Sequence, residues 1–239
     1  MKAAFFDIDG TIYRESLIKE LFKKLITHEL TDENHWHDEV KPAFMKWDTR
    51  RGDYDDYLEK MVSVYVSSII GLNKIHIEFI AKKVIEQKGE RVYTFTRDKI
   101  KEHQKNNDLV IAISGSPLGL VSEMAKKYNF FAFKGTEYII DDNKCYTGET
   151  IPMWDSKSKK QAILEFKDKY NLDLSECYAY GDTTGDYSML EMVGHPYAIN
   201  PTKSLLDLIK KDLTLQKKIE IVLERKDVIY HIPFKTIID

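Results

Sequence analysis

The chain has 239 residues, 43% of them hydrophobic, which suffices for one large core or for a core domain with a smaller companion. Charged residues make up 31% and nearly cancel, leaving a net charge of −3. Because no lysine-rich arm or arginine stripe stands out, this balance argues against nucleic acid as a main partner.

The two cysteines, Cys145 and Cys177, lie neither in a C-x-x-C pair nor near a histidine at metal-ligand spacing. A disulfide between them stays open, but free thiols in a reducing cytoplasm are favoured. The N-terminus lacks the apolar length of a signal peptide, and the apolar stretch near residues 61–72 is too short and polar to span a bilayer. We therefore expect a cytoplasmic protein without a membrane partner, as a monomer or homodimer.

Short apolar runs bounded by polar residues predict five buried strands, at residues 3–6, 109–113, 130–133, 177–180 and 197–199. Helical patterns alternate with them, at residues 97–106, 118–127, 159–170 and 187–193. This alternation predicts an α/β fold, a doubly wound parallel sheet with helices on both faces. Residues 138–140 and 144–146 flank a polar turn and predict a β-hairpin.

A mostly helical stretch interrupts the alternation after the first strand. Segments 16–30, 33–46, 55–68 and 73–87 carry apolar residues at three- and four-residue spacing, with Asn73 as N-cap and Gly89 as C-terminal stop of the last. We predict an all-helical cap domain, residues 14–88, inserted into a core domain of residues 1–13 and 89–239. The tail after Lys210 predicts one further helix and one strand.

Two acidic clusters follow predicted strands. Asp7 and Asp9 come at the end of the first strand, and Asp182 and Asp186 follow the fourth. Carboxylates this close repel one another unless a cation lies between them, and Mg²⁺ prefers such hard oxygen ligands. Taken alone, the first pair favours a functional site over the start of a solvated loop, whereas Asp182 could equally be an ordinary helix N-cap.

A third strand end carries Ser114 and Gly115, which offer a hydroxyl and a bare backbone N–H before the positive end of a helix. The alternative is a plain loop in which Ser116 caps that helix. A lysine group, Lys157, Lys159 and Lys160, could place a point charge on phosphate in the same crevice. Together these residues are what aspartate-based phosphoryl transfer needs.

The four motifs resemble those of the haloacid dehalogenase (HAD) superfamily of phosphatases: Asp7-x-Asp9-Gly10-Thr11, Ser114, Lys159, and Gly181-Asp182-x-x-x-Asp186. Lys159 is preferred over Lys157 and Lys160 because it lies 23 positions before Asp182, a spacing similar to that of the phosphoserine-phosphatase-like branch with a small helical cap. The resemblance implies a magnesium-dependent phosphomonoester hydrolase that acts on a small phosphorylated metabolite through an aspartyl-phosphate intermediate.

The resemblance also implies a role for each motif residue. Asp7 would attack phosphorus, and Asp9 would protonate the leaving alcohol and then activate water. Ser114, the Gly115 amide and Lys159 would hold the phosphoryl oxygens. Mg²⁺ would be bound by the Asp7 carboxylate, the Asp9 backbone carbonyl, Asp182 and, directly or through water, Asp186.

Two positions depart from phosphoserine phosphatases. Gly185 replaces their asparagine, and Ser16 stands where they carry a glutamate that reads the substrate amine, with Glu15 one residue early. These departures weaken the case for phosphoserine as substrate. Two alternatives stay open: a phosphotransferase or mutase that uses the same aspartyl-phosphate, and a non-catalytic phosphate-binding sensor, which is disfavoured because all four motifs are present.

Overall fold

A central sheet organises the chain in the computed structural model, which describes residues 1–236. Within these residues the sheet has eight strands in the order β4-β3-β2-β1-β5-β6-β7-β8. The six central strands of this order, which begin with β3 and end with β7, pair in parallel. The edge strands β4 and β8 pair antiparallel with β3 and β7. The bounds are β1 Ala3–Phe6, β2 Leu109–Pro117, β3 Ala132–Ile140, β4 Tyr146–Ile151, β5 Tyr178–Gly181, β6 His195–Ile199, β7 Glu220–Arg225 and β8 Val228–Ile232.

Helices cover both faces of this sheet, which confirms the predicted α/β class. In β1, Ala4 and Phe6 point into one apolar cluster and Ala3 and Phe5 into the other, as the two-residue period of a strand requires. Both faces are apolar because both are covered. The helices are α1 Leu17–Thr27, α2 Lys41–Asp48, α3 Tyr54–Ile69, α4 Lys74–Lys88, α5 Thr94–Lys105, α6 Leu118–Lys127, α7 Ser156–Tyr170, α8 Tyr187–Met192, α9 Lys203–Ile209 and α10 Leu213–Gln216.

The predicted third strand and hairpin are placed wrongly in detail. Residues 132–140 form one strand, β3, and the hairpin's second strand begins at Tyr146 instead of at residue 144. In the sequence, Gly135 looks like a residue that would end a strand. In the structure it lies inside β3 and lets the neighbouring helix approach closely. A Cβ there would lie 2.9 Å from the Leu118 Cα, so β3 packs against the start of α6 through a missing side chain.

The inserted segment is helical, as predicted, but its second helix is not uniform. A π-helical turn, His35–Val40, precedes α2. Pro42 lies in the first turn of α2 and has no N–H to donate to the preceding turn, which disfavours a continuous α-helix across this junction. At α4 the caps are as predicted: the Asn73 side chain accepts a hydrogen bond from the Ile75 N–H at 3.1 Å, and Gly89 is the C-cap.

Helices α1 and α4 share one apolar cluster with the sheet, in which Leu21 and Ile80 are buried together with Phe6. These two inserted helices therefore belong to the same apolar cluster as that face of the sheet, and the division at residues 13 and 88 stays a prediction.

The C-terminal tail contains one more strand than predicted. Helix α10 is followed by β7 and β8, which pair as an antiparallel hairpin. The turn between them contains Lys226 at φ +56°. Since this left-handed position is taken by lysine instead of glycine or asparagine, the sequence carries no ordinary hairpin signal there.

The strand order creates a crevice at the centre of the sheet. Chain connections lead from β1 to β2 on one side, whereas β5 returns to the other side of β1. Open α/β sheets bind ligands at such a reversal, outside the carboxyl ends of the strands. Asp7 and Asp9 follow β1, and Asp182 follows β5, so topology brings the two acidic clusters together.

Candidate active site

Three aspartates and one lysine meet at this reversal. One carboxylate oxygen from each of Asp7, Asp182 and Asp186 lies within 4.8 Å of the other two, and all three residues are buried. The Lys159 Nζ donates to Asp7 Oδ1 at 2.7 Å and to Asp186 Oδ1 at 2.5 Å. The structure therefore unites two motifs separated by about three quarters of the chain.

Glycines permit this close approach. A Cβ on Gly10, which has φ +79°, would lie 2.0 Å from Asp182 Oδ2. A Cβ on Gly181 would lie 2.4 Å from the Asp186 Cβ. Thr11 then orients Asp182 by donating from its hydroxyl to Oδ1 at 2.9 Å. The Gly10-Thr11 pair thus shapes the site as much as the acids do.

Asp186 is fixed by its own loop. Its Oδ2 accepts from the backbone N–H groups of Asp182 and Thr183, both at 3.0 Å, and from the Thr183 hydroxyl at 3.1 Å. Together with the Lys159 contact, both carboxylate oxygens of Asp186 are engaged. This network holds the carboxylate rigidly at the edge of the cluster.

The Asp9 carboxylate lies apart from the three-aspartate cluster. Its Oδ1 accepts from the Leu17 N–H at 2.5 Å, at the start of α1, and its Oδ2 accepts from the Ser116 hydroxyl at 2.5 Å. The expected metal contact of Asp9 is its backbone carbonyl, which these bonds leave free. Ser116 is a site residue that the sequence analysis missed; it was considered only as a helix cap, and that alternative is wrong because α6 has Pro117 as its N-cap.

The Ser114-Gly115 segment reaches the site through Ser116. Ser114 is buried, and its Oγ accepts from the Ser116 N–H at 3.2 Å. The Gly115 carbonyl accepts from the Thr136 hydroxyl at 2.8 Å, which fixes the end of β2 against β3. Because Ser116 bonds Asp9, the predicted phosphate loop lies beside the acid pair that follows β1.

Among the three candidate lysines, the structure brings Lys159 to the cluster. Lys159 is buried in the first turn of α7, whereas Lys157 and Lys160 are exposed. Asp155 caps that helix by accepting from the Ser158 N–H at 2.8 Å, which sets the helical phase. The helix period therefore turns one lysine inward and its neighbours outward.

Electrostatics within the cluster favour a bound cation. Burial raises the pKa of Asp7 to about 8, although Lys159 acts in the opposite direction. Burial, with the charges of Asp186 and Asp7, also raises the pKa of Asp182 well above its usual range. Burial lowers the pKa of Lys159, but the two carboxylates it contacts reverse this and raise it. A single lysine thus leaves negative charge uncompensated, and an oxygen-only donor set of this kind fits Mg²⁺.

The family model of haloacid dehalogenase-like hydrolases matches residues 4–191, which include all of the motif residues above. The chain belongs to this family. Membership confirms the predicted superfamily and enzyme class, a HAD-type hydrolase.

Two named relatives and a solved structure are similar to most of this chain. A protein of Streptomyces azureus called inhibition of morphological differentiation protein is 29% identical over 206 residues, covering 85% of this chain and 73% of the relative. A probable phosphatase of Mycobacterium tuberculosis is 27% identical over 205 residues, covering 85% and 70%. Among solved structures, a phospho-aspartyl intermediate analogue of phosphoserine phosphatase aligns with a TM-score of 0.60 and 20% identity, covering 95% of this chain and 94% of that one. The HAD fold is thus shared with phosphoserine phosphatase.

Gly185 stands where phosphoserine phosphatases carry an asparagine, and the packing of this HAD hydrolase gives a reason for the glycine. A Cβ on Gly185 would lie 2.3 Å from the Trp154 carbonyl oxygen, and a Cβ on Gly115 would lie 2.8 Å from the Trp154 Cβ. The segment before α7 therefore packs against both loops through the space that two missing side chains leave. Sequence reasoning missed Trp154 because it belongs to none of the four motifs.

The structure also bears on two general expectations, one about the cysteines and one about membrane-spanning helices. Cys145 and Cys177 are both free, as favoured over a disulfide. Among residues 1–236, the helices lack the combination of length and apolar character needed to cross a bilayer.

Proposed function

We propose that the protein is a magnesium-dependent phosphomonoester hydrolase that acts on a small phosphorylated metabolite through an aspartyl-phosphate. The observation that carries the proposal is the buried cluster of Asp7, Asp182 and Asp186 with Lys159 at hydrogen-bond distance from two of them. The probable phosphatase among its relatives and the phosphoserine phosphatase fold support the same chemistry.

In the first step, Asp7 attacks phosphorus, its carboxylate oxygen bonds to phosphorus, and the bond to the ester oxygen breaks. Asp9 gives its proton to the leaving alcohol. Burial raises the pKa of the Asp9 carboxyl, which favours the protonated form that this step requires. Its bonds to Leu17 and Ser116 hold the carboxyl in one orientation.

In the second step, water attacks phosphorus, Asp9 takes its proton, and phosphate leaves Asp7. The oxygens of the transferring group are held by the Ser114 hydroxyl, the Gly115 amide and Lys159. The Asp7 carboxylate, the Asp9 carbonyl, Asp182 and Asp186 would hold Mg²⁺. When bound, the ion supplies positive charge that offsets the charge developing on the phosphoryl oxygens.

We assign helices α1–α4, within residues 14–88, as a cap domain over a core of residues 1–13 and 89–239. The hydrogen bond from Leu17 to Asp9 joins the first cap helix to the site, so cap position and the orientation of Asp9 are linked. Closure of the cap would exclude bulk water during transfer. The free thiols are consistent with a cytoplasmic location.

Hydrolysis of p-nitrophenyl phosphate by the purified chain tests the proposal. Asp7→Asn should abolish turnover in magnesium, whereas Asp168→Asn, which changes an exposed aspartate remote from the motifs, should retain it. EDTA should silence the wild type, and added Mg²⁺ should restore it. Full activity of Asp7→Asn would remove the nucleophile assignment, and turnover in EDTA would remove the metal assignment.

Transfer to acceptors other than water is measured in the same assay. Adding an alcohol such as glycerol diverts an aspartyl-phosphate when a transferase is at work, so p-nitrophenol release would exceed phosphate release. We expect the two products to appear in equal amounts, as hydrolysis requires. The sensor alternative predicts that neither product appears.

A further inference from the structure

Strand β2 is irregular at the end that reaches the site. Between two regular pairs of β2 with β3, residues 114–116 of β2 stand opposite the single residue Gly135 of β3. Extra residues on one strand form a β-bulge, and bulges beside active sites re-aim a side chain. Here the bulge carries Ser116, whose hydroxyl donates to the Oδ2 of Asp9.

Thr136 holds this bulge in place. The side chain is buried, and its hydroxyl donates to the Gly115 carbonyl at 2.8 Å and accepts from the Met153 N–H at 3.2 Å. One hydroxyl therefore ties the bulge both to β3 and to the segment that leads into α7. Within the bulge, the Ser116 N–H donates to the Ser114 Oγ at 3.2 Å. The place of Ser116 is thus fixed by contacts outside the acidic cluster.

Gly135 makes room for the bulge on the neighbouring strand. A Cβ on Gly135 would lie 3.0 Å from the Ser116 carbonyl oxygen and 2.9 Å from the Val121 Cγ2. A side chain at this position would push the backbone of Ser116 away from β3. The bulge therefore depends on a matching glycine as well as on the Thr136 hydroxyl.

The Asp9 carboxyl is held from two sides. Its Oδ1 accepts from the Leu17 N–H and its Oδ2 accepts from the Ser116 hydroxyl, both at 2.5 Å. Ser116 is only 3% exposed, so bulk water does not compete for its hydroxyl. A carboxyl oxygen can accept more than one hydrogen bond. Asp9 can therefore keep its bond from Ser116 while it exchanges a proton with a substrate oxygen.

Orientation decides how well a general acid works. A carboxyl that rotates freely points away from the leaving oxygen for most of the time. A misplacement of about 1 Å in a catalytic group can lower the rate by about a hundredfold. The bond from Ser116 restricts the rotation of the Asp9 carboxyl, and it does so from the core of the fold, because β2 lies next to β1 in the sheet.

We propose that Ser116 is a positioning residue for proton transfer from Asp9 to the leaving group, and that Thr136 supports it by fixing the bulge. The assignment rests on the proposed phosphatase function and adds two residues outside its four motifs. In this step an Asp7 oxygen bonds to phosphorus, the bond from phosphorus to the ester oxygen breaks, and the Asp9 proton goes to that oxygen. Ser116 transfers no proton itself and only orients the carboxyl.

Leaving groups of similar shape and different acidity test the inference. Steady-state kcat/KM is measured with p-nitrophenyl phosphate and p-methylphenyl phosphate. The first releases a stable anion that needs no proton, whereas the second releases a strongly basic oxygen that does. Ser116→Ala should lower kcat/KM for p-methylphenyl phosphate by at least about tenfold, because an oriented general acid contributes about 10²–10⁴-fold. The value for p-nitrophenyl phosphate should change little.

Two serine variants separate positioning from a general structural effect. Ser116→Thr keeps the hydroxyl and should restore the wild-type ratio of the two kcat/KM values. Ser188→Ala is the matched control, since Ser188 is also 3% exposed and its hydroxyl donates at 2.6 Å to the Ser156 carbonyl instead of to Asp9. We expect the control to leave the ratio unchanged. Equal losses for both esters in Ser116→Ala, or no loss, would overturn the inference.

Thr136→Val provides a second measurement should Ser116→Ala fold poorly. Valine removes the hydroxyl that the Gly115 carbonyl and the Met153 N–H share, so we expect the same selective loss for p-methylphenyl phosphate. Thr136→Ser keeps the hydroxyl and should retain the wild-type ratio, and equal ratios in these two variants would remove Thr136 from the assignment. If the wild type hydrolyses both esters and none of the variants changes their ratio, the phosphatase assignment stands and the positioning role falls. If neither ester is hydrolysed, the phosphatase assignment itself fails.

Discussion

Replacing Asp7 by asparagine should remove activity and at the same time stabilise the metal-free protein. Burial raises the pKa of this carboxyl from an ordinary 3.8 to about 8, so its ionised form is unfavourable in the folded chain at neutral pH. Each pKa unit corresponds to about 1.4 kcal/mol, which sets an upper limit of about 4 kcal/mol at pH 7. The variant also loses the 2.7 Å contact with Lys159, which offsets part of the stabilisation gained by removing the buried carboxylate. We expect a net gain of about 1–3 kcal/mol in the free energy of unfolding.

The stability of the metal-free protein should change with pH in a defined direction. Because the folded-state pKa of Asp7 is raised, its contribution to stability is fully present below about pH 3.8 and is lost as the pH rises toward 8. The metal-free wild type should therefore lose stability between about pH 5 and 8, and Asp7→Asn should lose less. Urea unfolding in EDTA, followed by circular dichroism at several pH values, measures both slopes.

Two comparisons make this result decisive. Asp168→Asn removes an exposed carboxylate and should change the free energy of unfolding by less than about 0.5 kcal/mol. Mg²⁺ should stabilise the wild type more than Asp7→Asn, since the variant lacks one ligand of the ion. A metal-free Asp7→Asn protein that is no more stable than the wild type at pH 7 would refute the reasoning.

Two further predictions concern residues outside the acidic cluster. Gly185→Ala places a Cβ 2.3 Å from the Trp154 carbonyl oxygen and should lower the free energy of unfolding in urea by about 1–3 kcal/mol. In the control Gly119→Ala, the new Cβ would meet nothing closer than 3.8 Å, so this variant should not be destabilised. Equal stabilities of the two variants would contradict the packing argument. Burial lowers the pKa of His103 below its ordinary 6.5, although the hydrogen bond that its ring donates to the Asp108 carboxylate acts in the opposite direction. The contribution of His103 to stability is therefore full above pH 6.5 and is lost as the pH falls. His103→Gln should flatten the fall in unfolding free energy from pH 6.5 to 5, and an unchanged slope would contradict this.

The sequence was sufficient for the central strands and for the gathering of the motifs. A short apolar run bounded by polar residues, such as 3–6, favours a strand buried on both faces, and the carboxyl ends of parallel strands share one edge of a sheet. Asp7, Asp182 and Lys159 were therefore predictable as neighbours from their positions relative to strands and a helix. The boundaries of β3 and the β7–β8 hairpin were not predictable from the sequence. The conformations of Gly135 and Lys226 depend on the segments that pack against them.

By itself, the sequence determined the type of chemistry, since the residues that carry it are tied to strand ends by local pattern. Only the tertiary structure decided what surrounds those residues. Ser116 reaches Asp9 across 107 positions, and Ser16 and Tyr57 line one cavity from separate segments of the chain. Such contacts leave no periodic or local signal, because they arise from packing between segments far apart in the chain. The acids could thus be named in advance, while the cavity beside them could be read only from the folded protein.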